Sequence, residues 1–116
     1  MSLFDVALPH PEGFRETDVL TLSRHERGTV RVIDVREPSE FTGELGHIPG
    51  AELVALSEIP TRCSAWDREA VVVLVCRSGK RSAAAAQVLV KNGFKHVVNL
   101  VGGTQAHAAA GLPVER

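Results

Sequence analysis

The stretch Val71-Val-Val-Leu-Val75-Cys76, followed by Arg77-Ser78-Gly79-Lys80-Arg81-Ser82, decides the fold of this chain. Its unbroken apolar run, rich in β-branched residues, is typical of a strand buried on both faces of a parallel sheet. The alanine-rich segment after it predicts a helix beginning at Ser82. Open α/β sheets bind their ligands at the carboxyl ends of such strands. The sequence therefore predicts a ligand site at Cys76, where the strand gives way to the helix.

The residues from Cys76 onward, which we call the cysteine loop (residues 76–82), are suited to holding a thiolate beside an anion. A free cysteine has a pKa of about 8.5, which nearby cations or a helix N-terminus lower. Arg77, Lys80 and Arg81 all follow the cysteine closely, and the free N–H groups of the predicted helix point toward it. Gly79 allows the backbone to turn so that successive N–H groups form an anion-binding nest. An inert buried cysteine is the alternative, but it leaves the cations and the glycine unexplained.

The segments on either side of this loop alternate between strand and helix. Besides the central strand, we expect strands at 29–35, 51–55 and 96–101, and helical segments at 18–27, 38–44, 57–66, 82–92 and 104–110. Such alternation indicates an α/β fold with an open, mostly parallel sheet of about five strands and helices on both faces. Because no repeat or linker interrupts the pattern, residues 1–116 are predicted to form one domain.

The composition limits the classes of partner. Hydrophobic residues make up 44% of the chain and charged residues 23%, as in an ordinary globular protein. The net charge is −1 and no apolar segment approaches the length of a membrane span, so neither nucleic acid nor a membrane is expected as a partner. Two cysteines are too few for a disulfide framework, which favours a cytoplasmic, reducing location. The five histidines lack the spacing of metal ligands, so we expect no metal and no other cofactor.

Four segments of the chain resemble the rhodanese-like sulfurtransferases, and they occur in that family's order. The cysteine loop resembles the active-site loop, and the others resemble the first strand and turn, an internal motif, and the close of the domain. These three are Val32-Ile-Asp34-Val-Arg36-Glu-Pro38-Ser-Glu-Phe41, Gly46-His-Ile-Pro-Gly-Ala51, and Asn99-Leu-Val-Gly-Gly103 with Gly111-Leu-Pro-Val114. The resemblance covers nearly the whole chain and implies a single rhodanese-like domain.

The resemblance implies a thiosulfate sulfurtransferase. Cys76 would be the catalytic nucleophile and would take a sulfane sulfur, as a persulfide, from a small anionic donor such as thiosulfate or a related persulfide. A thiophilic acceptor would then remove that sulfur; cyanide, a small thiol and a protein thiol all qualify. The substrate-binding residues would be the rest of the cysteine loop, namely Arg77, Ser78, Gly79, Lys80, Arg81 and Ser82.

Other conspicuous residues are expected to have structural roles. Asp34 and Arg36 are predicted to support the structure near the cysteine loop rather than to take part in catalysis. His47 is expected to bond to backbone rather than to shuttle protons. Cys63 could act as a resolving thiol, but a small buried apolar role is favoured. The family commonly has an aromatic residue near the position of His107, so the packing of the last helix is expected to differ here.

The sequence leaves two other functions open. Related folds with cysteine-dependent phosphatase or arsenate reductase activity use a Cys-x5-Arg loop, whereas Cys76 to Arg81 gives Cys-x4-Arg. The shorter loop is expected to be too tight for a phosphoryl group with its ester. The second alternative is a non-catalytic rhodanese-like interaction module. Modules of that kind typically lack the cysteine that this chain has.

Overall fold

The central apolar run lies in the middle of a six-stranded open sheet in the computed structural model, which describes residues 1–116. The strands are β1 (Leu8–Pro9), β2 (Arg15–Thr17), β3 (Arg31–Asp34), β4 (Glu52–Leu53), β5 (Val71–Val75) and β6 (His96–Leu100). They lie in the order β1-β2-β6-β5-β3-β4, and only the β1–β2 pair is antiparallel. The predicted α/β fold with a mostly parallel sheet is confirmed, although the sheet has one strand more than expected.

The sequence does not predict the two strands nearest the N-terminus, β1 and β2. They are two and three residues long, too short to show the alternation of apolar and polar residues by which a strand is recognised. β2 pairs in parallel with β6, with Glu16 opposite Asn99. This pairing extends the sheet beyond β6 and places a carboxylate beside the amide of Asn99.

The chain forms six helices, four of which connect consecutive strands. They are α1 (Leu3–Val6), α2 (Val19–Ser23), α3 (Pro38–Phe41), α4 (Ile59–Arg62), α5 (Lys80–Lys91) and α6 (Gly103–Ala109), with 3₁₀ turns at Arg27–Thr29, Leu56–Glu58 and Cys63–Ala65. The helix expected over residues 18–27 is wrong beyond Ser23, because the segment after Leu22 offers no apolar side chain to pack against the sheet. None of the six helices is long and apolar enough to cross a membrane.

The helix after the cysteine begins earlier than its alanine content predicts. It was expected over residues 82–92, but α5 starts at Lys80, directly after Gly79. The φ angle of Gly79 is +112°, a left-handed value that a side chain would disfavour, and it turns the chain from the loop into the helix. Lys80 and Arg81 therefore lie in the first turn of α5, although they belong to the cysteine loop by sequence.

Both faces of the sheet are covered, as the alternation of strands and helices predicts. On one face α5 packs against β5 and β6 in a core of 15 buried residues, which include Leu74, Leu89 and Cys76. On the other face a core of 10 buried residues joins the sheet to α1 and α2, with Val73 and Leu22 among them. Each such side chain contributes about 1.5–3 kcal/mol when fully buried. The strand that ends at Cys76 is thus held firmly from both sides.

Candidate active site

Cys76 lies at the carboxyl end of β5, enclosed by the cysteine loop. Only 1% of the residue is exposed. Its Sγ accepts a hydrogen bond from the backbone N–H of Gly79 at 3.0 Å and lies 3.3 Å from the hydroxyl of Ser82. The loop thus folds back over the sulfur and brings hydrogen-bond donors to it, an arrangement that stabilises a thiolate.

Hydrogen bonds are the main influences that favour ionisation of this thiol. Burial raises the pKa of Cys76, but the hydroxyl of Ser82 and the backbone N–H groups of Ser82, Gly79 and Ser78 lower it more. The resulting pKa lies below the ordinary value for cysteine. The direction agrees with the sequence-based expectation. The main cause is different from the one expected. Hydrogen-bond donors next to the sulfur lower the pKa of Cys76 more than the cations of the cysteine loop do.

The three cations of the cysteine loop have different surroundings. Arg77 and Lys80 are exposed and form no salt bridge. Arg81 instead donates to both carboxylate oxygens of Glu40, in α3, at 2.7 and 2.9 Å. Since Glu40 balances the charge of Arg81, the unpaired positive charge of the cysteine loop lies on Arg77 and Lys80.

Glu40 is a site residue that sequence reasoning missed. The guanidinium of Arg81 lowers the pKa of Glu40 to about 2, against a partial burial that raises it. The same contact raises the pKa of Arg81. In the sequence Glu40 looks like a helix-capping residue, and its carboxylate does accept from the Glu37 backbone N–H as well. That local role gives no sign that the carboxylate also binds a cation far along the chain.

We expect Glu40→Gln to destabilise the fold in a pH-dependent way. Because the pKa of Glu40 is lower in the folded protein, its contribution is complete above about pH 5 and is lost as the pH falls from 4.5 toward 2. The side chains of Arg81 and Glu40 are 39% and 29% exposed, so solvent screening limits the effect to about 1 kcal/mol. The free energy of unfolding in urea, compared with that of the wild type at pH 6 and pH 3, measures it.

The control for this prediction is Glu58→Gln, which breaks the exposed ion pair between Glu58 and Arg62. Its effect on the free energy of unfolding should be smaller at pH 6. The loss in free energy of unfolding that Glu40→Gln causes should be about half as large at pH 3 as at pH 6. A deficit that stays constant between the two pH values would contradict the assigned pKa of Glu40.

The beginning of α6 packs directly against the cysteine loop. The backbone N–H groups of Thr104 and Gln105 donate to the carbonyl oxygens of Cys76 and Arg77, at 2.9 and 3.1 Å. Gly103 makes this approach possible, because a Cβ atom at its position would lie only 2.7 Å from the Arg77 carbonyl oxygen. The glycine in the closing segment of the chain thus serves the geometry of the site.

Asn99 makes a second contact to the cysteine loop from β6. Its side-chain amide donates to the carbonyl oxygen of Gly79 at 3.2 Å and to the carboxylate of Glu16 at 3.1 Å. Sequence reasoning assigned no role to this residue. The signal that could have found it is a polar side chain within the apolar run that follows His96, since burying an amide is costly unless it is hydrogen-bonded.

Asp34 and Arg36 form a buried ion pair at the end of β3. Arg36 Nη2 lies 2.8 Å from Asp34 Oδ2 and also donates to the Gly46 carbonyl oxygen at 2.7 Å. The pair therefore ties the end of the strand to the glycine-rich turn that follows α3. This placement is consistent with the supporting role expected of both residues, since their hydrogen bonds lie in the framework beside the cysteine loop.

The remaining residues singled out in the sequence are also held by the framework. The ring of His47 stacks on Phe41, and its Nδ1 lies 2.8 Å from the Phe41 carbonyl oxygen. Cys63 is completely buried in the core beside α5. His107, near the position where the family commonly has an aromatic residue, is also buried, and its Nε2 lies 2.8 Å from the Pro113 carbonyl oxygen. It thus fixes the segment after α6 through a polar contact.

A groove of about 260 Å³ opens beside the cysteine loop. Charges of both signs line it, and the lining residues are Arg36, Ser39, Glu40, Gly43, Glu44, Leu45 and Arg77. Arg77 belongs to the cysteine loop, whereas most of the other residues belong to α3 and the turn after it. The groove therefore reaches the cysteine loop at Arg77, and Cys76 itself is not among its lining residues.

The chain is similar to known proteins over most of its length. The family model of the rhodanese-like domain matches residues 19–110, and the chain belongs to that family. A sulfurtransferase from Allochromatium vinosum is 39% identical over 101 residues, which cover 85% of this chain and 92% of that protein. A thiosulfate sulfurtransferase from Pseudoalteromonas translucida is 32% identical over 90 residues, covering 78% of this chain and 84% of that protein.

Solved structures show the same fold. The human single-domain sulfurtransferase superposes with a TM-score of 0.72 at 26% identity, over 81% of this chain and 95% of that one.

Two relatives from Bacillus subtilis, YrkF and YqhL, are 37% and 45% identical over the matched residues. This chain spans only 40% and 56% of their lengths.

Proposed function

We propose that the protein is a sulfurtransferase in which Cys76 carries a sulfane sulfur, as a persulfide, from an anionic donor to a thiophilic acceptor. The proposal depends on one observation above all. The Cys76 thiol has a lowered pKa and lies between the N–H of Gly79, at 3.0 Å, and the hydroxyl of Ser82, at 3.3 Å. Relatives that are named sulfurtransferases support the same class of reaction.

In the first step the Cys76 thiolate attacks the outer sulfur of thiosulfate. A new S–S bond forms while the S–S bond of thiosulfate breaks, and sulfite leaves with the bonding electron pair. The N–H groups of Gly79 and its neighbours in the cysteine loop stabilise the negative charge on the transferred sulfur. Arg77 and Lys80 attract the anionic donor and offset the charge of the departing sulfite.

In the second step the acceptor attacks the outer sulfur of the persulfide. The S–S bond to Cys76 breaks and the cysteine leaves as a thiolate, so the protein returns to its starting state. Cyanide would become thiocyanate, and a thiol would become a persulfide. The groove of about 260 Å³ beside Arg77 gives the acceptor a place to bind at the edge of the cysteine loop.

The direct test is the intact mass of the protein after incubation with thiosulfate. The wild type should gain the mass of one sulfur atom, and the gain should disappear when cyanide is added. Cys76→Ser should show no gain under the same conditions. A wild-type protein whose Cys76 reacts with iodoacetamide but takes up no sulfur would overturn the proposal, because the thiol would then be available but not sulfur-accepting.

A phosphatase or arsenate reductase reaction fits this site less well. In a loop that holds a phosphoryl group, an arginine must be free to bind its oxygens, whereas Arg81 is occupied by Glu40. Cys76 is also enclosed so closely that a single terminal sulfur reaches it more easily than a phosphate ester does. Hydrolysis of a phosphate ester, assayed on the same sample as thiosulfate:cyanide activity, separates the two reactions. Neither activity would be present in a non-catalytic interaction module.

We expect Lys80→Ala chiefly to raise the KM for thiosulfate, by about threefold to tenfold at low salt. The change removes an exposed charge from the first residue of α5 but leaves every backbone N–H of the cysteine loop in place. Salt screens such a charge beyond about 10 Å at 0.1 M ionic strength. The effect should therefore shrink as salt is added. Initial rates against thiosulfate concentration, at low and high salt, measure it.

Lys91→Ala is the matched control, because it removes the same charge from the last residue of α5. Its KM for thiosulfate should equal that of the wild type at both salt concentrations. If the two lysine variants change KM equally, attraction by the net charge of the protein replaces local attraction at the cysteine loop. If the effect of Lys80→Ala does not depend on salt, the explanation by a screened charge is wrong.

A further inference from the structure

Asn99 places a polar side chain in the buried, otherwise apolar part of β6. It is 2% exposed, and its neighbours Val98 and Leu100 belong to the apolar core. Its carbonyl oxygen Oδ1 has no hydrogen-bond partner. A buried amide that leaves one of its own groups unpaired costs stability.

The amide nitrogen of Asn99 joins the cysteine loop to β2. It donates to the Gly79 carbonyl oxygen at 3.2 Å and to Glu16 Oε2 at 3.1 Å. A backbone carbonyl and an ionised carboxylate can only accept, so the NH₂ group and not Oδ1 must face them. An ionised aspartate or a leucine at this position could make neither contact. The two acceptors therefore require a side chain that donates hydrogen bonds here.

Gly79 is the residue through which Asn99 reaches the thiol. Its N–H donates to Cys76 Sγ, while its carbonyl oxygen accepts from Asn99. Its φ angle is +112°, in a region where a glycine is free to move. A Cβ atom at this position would meet its nearest neighbours only at 3.6 Å, so close packing leaves Gly79 some freedom. Its carbonyl oxygen also accepts from the backbone N–H of Ala83 in α5, at 3.2 Å, and the hydrogen bond from Asn99 is the one that holds Gly79 from β6.

We propose that Asn99 is a positioning residue that holds the Gly79 N–H against the Cys76 sulfur and thereby sets the reactivity of the thiol. The proposal rests on the proposed role of Cys76, but thiol ionisation can be measured without any sulfur transfer. Glu16 is the second acceptor and orients the amide from the side of β2. In this role Asn99 acts on the Cys76 thiol through Gly79 and does not contact the substrate.

Other charged groups near the thiol do not depend on Asn99. Arg81, on α5, is paired with Glu40 of α3, and Asp34, at the end of β3, is paired with Arg36. Neither pair has a hydrogen bond to Asn99. A substitution of Asn99 therefore changes the orientation of the Gly79 N–H and leaves these ion pairs as they are.

The test follows the rate of alkylation of Cys76 by iodoacetamide as a function of pH, in a Cys63→Ser background with a single thiol. Asn99→Leu replaces the amide by an apolar side chain of similar size and removes both hydrogen bonds. Its alkylation midpoint should rise by about half to one pH unit, and its rate at pH 7 should fall about threefold to tenfold. Glu16→Gln keeps a carbonyl acceptor for the amide and should keep the midpoint of the parent protein.

Thermal unfolding of the same variants separates positioning from folding. If Asn99→Leu unfolds at a lower temperature but keeps the parent's alkylation midpoint, the contact is merely structural and the proposal is overturned. Should Asn99→Leu fail to fold, Asn99→Ala is held to the same outcome. If the midpoint shifts as expected but the wild type takes up no sulfur from thiosulfate, the positioning of the thiol stands and the proposed sulfur transfer fails.

Discussion

Cys76→Ser should abolish sulfur transfer and leave the protein folded. Removing the nucleophile of a covalent mechanism costs several powers of ten, and we expect the rate with thiosulfate and cyanide to fall about 10⁴-fold or more. The serine hydroxyl can still accept from the Gly79 N–H, which lies 3.0 Å from the sulfur in the wild type. The thermal midpoint should therefore change little. Steady-state rates, intact mass after thiosulfate and thermal unfolding together measure the result.

Cys63→Ser is the matched control for this substitution. Cys63 is 0% exposed, and its sulfur lies 3.7 Å from the Pro60 carbonyl oxygen in the core. A hydroxyl at this position should cost about 1 kcal/mol of stability, and sulfur transfer should continue at the wild-type rate. A folded but inactive Cys63→Ser protein would show that the two thiols act together. The assignment of a single catalytic thiol would then be wrong.

The position of Cys76 at the edge of the sheet could be predicted because it depends on local sequence. Five apolar residues, Val71–Val75, lie on β5, and the cysteine at the end of that run necessarily falls at the carboxyl edge of the sheet. Gly79 could likewise be assigned to the turn before a helix, since a left-handed backbone favours glycine. These features need only the periodicity of a short segment and the chemistry of single residues.

The long-range contacts of the cysteine loop could not be predicted in the same way. Glu40 and Arg81 are 41 residues apart in the chain, and Asn99 lies 20 residues from Gly79. Pairings over such separations depend on the order of strands in the sheet, which no local pattern specifies. Sequence reasoning therefore counted Arg81 as a free cation and gave Asn99 no role. It attributed the lowered pKa of Cys76 mainly to the charges of the loop, because the geometry of the hydrogen bonds cannot be deduced from the sequence.

Inserting one residue between Ser78 and Gly79 should destroy sulfur transfer although it removes no charge. An added residue lengthens the chain by up to about 3.5 Å, which exceeds the narrow range of distances over which a hydrogen bond forms. The N–H of Gly79 can then no longer remain 3.0 Å from Cys76 Sγ while its carbonyl oxygen stays on Asn99. We expect the rate to fall about 10²–10³-fold, as when a donor is removed from an oxyanion hole.

The same residue inserted in the exposed turn between Pro11 and Glu12 is the control for an effect of chain length on folding, and it should leave the rate unchanged. Alkylation of Cys76 in the loop variant should also need a higher pH, because a donor to the thiolate is lost. Weak activity toward arsenate or a phosphate ester would show that the wider ring accepts a larger group. If the loop variant unfolds at the wild-type temperature and keeps near-normal sulfurtransferase rates, loop length does not set the chemistry. The distinction from phosphatases that depends on the Cys-x4-Arg spacing would then lose its physical basis.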